Sequence, residues 1–142
     1  MIYLLDTDHL SILQRGGAIV TRLTNRLATI GPDDYGTTIV SYEEQCRGWA
    51  DRINRAQTPA ARVAAYTELQ RSLQFYRNIA VADYNDRADA QYVVLKGILK
   101  SSVGTKDLRI ASITMSLGAT LLSHNTKHFV KIPGLLLDDW TV

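Results

Sequence analysis

The acidic residues of this chain fall at positions where several of them could act together. Asp6 closes the apolar run Ile2-Tyr3-Leu4-Leu5, Glu43 and Glu44 follow the β-prone stretch Tyr35 to Tyr42, and Asp107 opens an apolar-periodic segment after Thr105. Asp83 follows Ile79-Ala80-Val81, and Ser123, His124 and Asn125 follow Ala119 to Leu122. If those runs are parallel strands of one sheet, their carboxyl ends share an edge, which is where open α/β sheets build their sites. Carboxylates gathered there repel one another by roughly a few kcal/mol at an effective dielectric near 20. A divalent cation offsets that repulsion. Hard oxygen donors, with no Cys or His pair at zinc spacing, suit Mg²⁺ or Mn²⁺. Such an ion acidifies water and stabilises a phosphorane, which points to hydrolysis of a phosphodiester.

Each residue has a plainer reading. An unpartnered carboxylate at the end of a buried strand is costly, so Asp6 is better explained by function than by helix capping. Glu44 alone is explained equally well by a helix dipole, Asp107 by capping chemistry, and Asp83 better by capping than by metal. Asn125 either turns the chain or offers its amide oxygen to a metal-bound water. His9, His124 and His128 share no triad spacing with a serine or with Cys46, which reads as a small buried hydrophobe. Trp49 and Trp140 read as packing residues. The phosphates of such a substrate would be held by Arg and Lys. Arg15, Arg47, Lys106, Arg109 and Lys127 lie near the acidic segments, and Arg15 and Lys127 are the candidate contacts.

Short apolar runs alternate with amphipathic stretches, the pattern of strands joined through helices into a parallel sheet. Strands are expected at Ile2 to Leu5, Tyr35 to Tyr42, Ile79 to Val81, Ala119 to Leu122 and, as a short edge, Leu135 to Leu137. Helices are expected from Asp8, as cap, to Arg15 with Gly16-Gly17 as the stop, and at Ile19 to Leu27 on Ile19, Val20, Leu23 and Leu27. Further helices are expected at Glu43 to Arg55, after the Thr58-Pro59 cap on Ala61, Ala65, Leu69 and Leu73, from an Asp83 cap to about Lys100, and from a Thr105 cap to Gly118.

The 142 residues are the length of one domain, residues 1–142, and need no covalent staple. A single cysteine excludes the disulfide-rich secreted class and fits a cytoplasmic protein. No apolar run approaches the ~20 residues of a membrane span, and no secretory signal opens the chain. The formal net charge is +2, from 16 basic and 14 acidic side chains. Setting aside Asp6, Glu44 and Asp107 leaves 16 basic against 11 acidic, a moderately basic surround for an acidic pit.

Taken together, the motifs resemble the PIN-domain ribonucleases, and within them the VapC-type toxins of toxin–antitoxin pairs. LLDTDHLS is similar to the family's LLDTN-x-LS, with Asp6 at the first acid and Asp8 where Asn is usual. IVSYEEQCRGW resembles the second motif. Aligned on Gly48, it places the acid at Glu44, with Glu43 as the alternative. VGTKDLRIAS resembles G-x-x-x-D-x-x-IA and assigns the third acid to Asp107. ATLLSHNTKHFVKIPGLLLDDW resembles the closing segment, except that His128 stands where many members carry a fourth acid, three residues after Asn125. The resemblance spans the whole chain. It implies a three-layer α/β/α sandwich around a mostly parallel four- or five-stranded sheet, and a homodimer. It also implies Mg²⁺-dependent endoribonuclease activity through Asp6, Glu44, Asp107 and Asn125, and a cognate antitoxin lying across the groove.

Two rivals remain at this stage. The Asp-x-Asp of LLDTDHL is also what a haloacid-dehalogenase-type phosphatase needs, but Leu10 stands where that family has Thr or Val, and only three residues follow Asp139. The other is an inactive PIN-like module that binds RNA or protein without cutting, for which His128 speaks.

Overall fold

The computed structural model describes residues 1–16 and 18–142. Five parallel strands form one sheet in the order β3-β2-β1-β4-β5: β1 (Tyr3–Leu5), β2 (Tyr35–Thr38), β3 (Ala80–Ala82), β4 (Thr120–Leu122) and β5 (Leu136–Asp138). The connections are helical: α1 (Thr7–Arg15), α2 (Ala18–Ala28), α3 (Ile39–Arg55), α4 (Pro59–Tyr76), α5 (Asp86–Leu99), α6 (Thr105–Ser116) and the single turn α7 (Thr126–Phe129).

The central strands are short, and consecutive side chains on them point to opposite faces. Leu4 and Leu121 enter one core with Val40, Leu95, Leu108, Ile110 and Phe129, whereas Leu5 and Leu122 enter a second with Leu10, Leu23, Leu27 and Trp140. Two cores on two faces make the expected three layers, with the parallel sheet covered on both sides. Gly36 sits mid-strand between Leu4 and Ala80, and a Cβ there would lie 2.5 Å from the Ala80 carbonyl oxygen, so this crossing requires glycine.

Several boundaries differ from the sequence expectation, each for a local reason. β2 ends at Thr38, and Ile39 to Tyr42 form the first turn of α3 in spite of their β-prone composition, because the buried Thr38 hydroxyl accepts from the Ser41 N–H at 3.1 Å. α1 is led by Asp6, not Asp8: the Asp6 carbonyl accepts from the Leu10 N–H at 3.0 Å and its side chain makes no capping bond. Asp83 is exposed and caps nothing, since Asn85 accepts from the Ala88 N–H at 3.0 Å and α5 starts at Asp86. α6 is preceded by Gly104, so Thr105 is its first residue and not its cap. The Thr58-Pro59 signal does start α4, but Ala61 and Leu73 are exposed, and the helix packs through Ala65, Ser72 and the partly covered Leu69 and Phe75. Ile2, outside β1, is 51% exposed. Gly16, at φ 78°, ends α1 as expected, and Gly17 and the side chain of Ile19 lie outside the described residues.

Candidate active site

The carboxyl end of β1 is the hub. The Asp6 N–H donates to the Leu122 carbonyl of β4 at 2.9 Å, which extends the sheet ladder by one step and fixes the residue where α1 begins. Its side chain is 6% exposed and accepts from the Ser123 hydroxyl at 2.9 Å. Burial first, then repulsion from Asp8 and Asp107, pushes the Asp6 carboxyl up to about 7, against the opposing pull of the Thr7 N–H and the Ser123 hydroxyl.

α3 brings in the second acid. Because α3 starts at Ile39, Glu44 is beyond its first turn, which contains no acidic residue, and the helix-dipole explanation of Glu44 falls away. Its Oε1 accepts from the Thr7 hydroxyl at 3.2 Å, beside Asp6 in sequence, whereas Glu43 points elsewhere and pairs with Arg47 and Lys106. Burial raises the Glu44 carboxyl, and Asp107 and Glu43 raise it further against Thr7 and Lys106. Asp107, half-buried in the first turn of α6, is raised by burial and by Asp8, with His128 pulling the other way. Asp107 thus raises both Asp6 and Glu44, and each of the three carboxyls is held up by burial and by at least one acidic neighbour.

Asp8 behaves differently from its neighbours. Its Oδ2 accepts from the N–H groups of His124 and Asn125, each at 3.1 Å, and its Oδ1 lies 2.9 Å from His9 Nδ1. Those partners hold its carboxyl below the ordinary range in spite of burial. Asp8, expected from sequence to cap α1, is instead the anchor of the loop after β4. The signal that could have found it is its spacing, since a residue two after a strand-end acid lies one helical step past the sheet edge.

The remaining candidates are placed as follows. Asn125 is exposed, with its N–H shared between Asp8 and Ser123 and no capping bond from its side chain. Lys127 and His128 are exposed on α7. Arg15 ends α1, roughly 13 Å along the helix from Asp6 at 1.5 Å per residue. It lines a cavity of about 430 Å³ with Gln14, Trp49, Arg52 and Phe75. Arg109 lies over the Tyr92 ring at 5.4 Å, and Arg47 and Lys106 hold Glu43. Cys46 is half-buried, not buried, near Tyr42 and Tyr76. Trp140 packs as expected, while the buried Nε1 of Trp49 has no partner among the described residues.

The donors are all oxygen and carry excess negative charge, so their chemistry fits Mg²⁺ or Mn²⁺. Among the described residues no three Asp, Glu, His or Cys side chains stand close enough to enclose an ion as they are.

The fold is that of a PIN-like α/β/α domain. The chain is similar to the following proteins. No family model matches it. Ribonuclease VapC1 of Haemophilus influenzae (strain R2866) is 28% identical over 145 residues, 99% of each chain. Ribonuclease VapC2 of Rickettsia felis is 32% identical over 69 residues, 46% of this chain and 52% of that protein. The fold is shared with VapBC-1 from nontypeable Haemophilus influenzae, at a TM-score of 0.77 and 24% identity over 100% of both chains. It is shared as well with VapBC2 from Rickettsia felis, bound there to a DNA fragment from its promoter, at 0.76 and 22% over 99% of both.

Proposed function

We propose that this chain is a metal-dependent endoribonuclease and the toxin of a toxin–antitoxin pair, acting in the cytoplasm. The observation that carries the reading is the gathering of acids at one edge of the sheet, where Asp107 acts on both Asp6 and Glu44 and each of the three carboxyls is raised by burial and by an acidic neighbour. The full-length likeness to VapC1 supports the substrate class, and the likeness to VapBC complexes supports an antitoxin partner.

Asp6, Glu44 and Asp107 would hold Mg²⁺, which when bound supplies Lewis acidity toward a phosphodiester and lowers the pKa of water. The chain does the positioning. The Ser123 hydroxyl and the ladder bond at the Asp6 N–H fix the first carboxylate, and the Thr7 hydroxyl orients the second. Arg15 and Lys127, neither with an ion-pair partner among the described residues, are left to hold RNA phosphates. The exposed Val93, Val94 and Ile98 of α5 give the chain an apolar face suited to a homodimer, whose mass light scattering would read directly.

One observation favours a second reading, a PIN-like module that binds without cutting: the acids do not enclose an ion as they stand. Cleavage of an RNA pool by the purified chain decides between them. With Mg²⁺ present, the wild type is expected to cut and Asp6→Asn to cut at least about 100-fold more slowly while remaining folded. Equal rates for the two would dismiss the metal assignment. No cleavage, together with no carboxylate-dependent Mg²⁺ or Mn²⁺ binding, would establish the binding module.

A further inference from the structure

His9 is the fully buried titratable residue to which the proposed mechanism gives no task, at 0% exposure beneath the acid cluster. Its Nδ1 lies 2.9 Å from Asp8 Oδ1, and the Trp140 N–H lies 3.3 Å from its Nε2. A backbone N–H can only donate, so Nε2 is the acceptor and the neutral ring carries its proton on Nδ1, which donates to Asp8. Asp139 Oδ1, at 3.6 Å from Nε2, is beyond hydrogen-bond reach.

The contacts continue toward Asp6. Asp8 Oδ2 holds the N–H groups of His124 and Asn125, and the Asn125 N–H also donates to the Ser123 hydroxyl oxygen at 3.0 Å. That oxygen has one proton. It lies 2.9 Å from Asp6 and 3.3 Å from Asp8, so Asp6 is the better acceptor. From these contacts we infer that His9 is a positioning residue for RNA cleavage: by fixing the Asp8 carboxylate it locks the Ser123-to-Asn125 loop so that Ser123 holds Asp6. The inference rests on the ribonuclease reading for its catalytic consequence and on geometry alone for the linkage.

Two substitutions divide the contacts of His9. In His9→Asn the amide nitrogen takes the place of Nδ1 and can still donate to Asp8, but nothing reaches Trp140. In His9→Gln the amide oxygen reaches the place of Nε2 and accepts from Trp140, and Asp8 loses its donor. Cleavage by His9→Gln is expected to fall at least about tenfold in kcat with little change in KM, and His9→Asn to recover most of that loss. Urea midpoints of the two variants are expected to be close. The ¹⁵N–¹H spectrum of the wild-type imidazole is expected to show the Nδ1–H tautomer, and the His124 and Asn125 amides to shift and exchange faster in His9→Gln than in His9→Asn. Equal losses in both variants that track their midpoints would make His9 a core filler only. An Nε2–H tautomer, or undisturbed His124 and Asn125 amides in His9→Gln, would overturn the linkage. A wild type that cuts no RNA would sink the ribonuclease reading and the catalytic role with it, while the tautomer and the amides would still decide the linkage.

Discussion

Asp6 carries a cost that its proposed role explains. Its carboxyl rises from an ordinary value near 3.8 to about 7 in the folded, metal-free chain, mainly through burial. A group whose folded pKa is raised contributes stability that is complete below the unfolded pKa and is lost as pH rises through the folded one. The window here runs from about pH 4 to pH 7, and at one pKa unit per 1.36 kcal/mol the loss reaches at most about 4 kcal/mol. Asp6→Asn keeps the shape and removes the charge. Without metal it is expected to be more stable than the wild type by about 1–3 kcal/mol at pH 8 and no more stable at pH 4.5, read from urea unfolding in chelator. Adding Mg²⁺ should then stabilise the wild type and leave the variant unchanged. A lower stability for Asp6→Asn at pH 8 would show that the charge is satisfied by protein alone. At this scale Asp6 stands out in the sequence because it closes an apolar strand, whereas Glu44, inside α3, and Asp107, in the first turn of α6, stand out only through the motif resemblance. The sequence hides the anchoring role of Asp8, whose partners lie 116 and 117 residues away at His124 and Asn125.

Elements are legible where a local signal decides them and illegible where two signals compete. Thr58-Pro59 starts α4, and Gly118, at φ 64°, follows α6, both as their residue types dictate. Ile39 to Tyr42 are β-prone by composition, yet the Thr38 cap turns them into helix, and that turn sets where Glu44 points. Thr38→Val keeps the volume and removes the hydroxyl. It is expected to cost about 1–2 kcal/mol, as loss of a helix cap does, and to lower RNA cleavage more than Thr58→Val, which removes the exposed cap of α4. Comparable cleavage by the two variants would mean that the start of α3 does not govern the site. The β3-to-α5 connection is illegible for a related reason: Asp83 and Asn85 are both good caps, and only the path of the chain selects Asn85.

For the molecule as a whole, the alternation of apolar runs and amphipathic stretches made the class of fold readable, but not its strand order or the division of its interior. β1 and β4 send alternate residues into two cores that the sheet keeps apart. The second core, under α1 and α2, is the smaller, and Trp140 closes it: the ring is 3% exposed, lies 4.6 Å from Tyr3 and sits under Arg26 at 4.5 Å, and its Nε1–H donates to Asp138 at 3.0 Å. Trp140→Ala is therefore expected to cost about 3–5 kcal/mol, a large part of the stability of an ordinary domain. The loss should be uneven. Because the sheet separates the cores, hydrogen exchange is expected to accelerate first in α1, α2 and β5, with α5 and α6 retaining protection until global unfolding. The same substitution also removes packing beside the Trp140 N–H that His9 accepts, so the layer that loosens is the one from which α1 presents Asp6, Asp8 and His9. Uniform acceleration across both layers would mean that the two cores unfold as one and that the α1 side of the site has no independent stability.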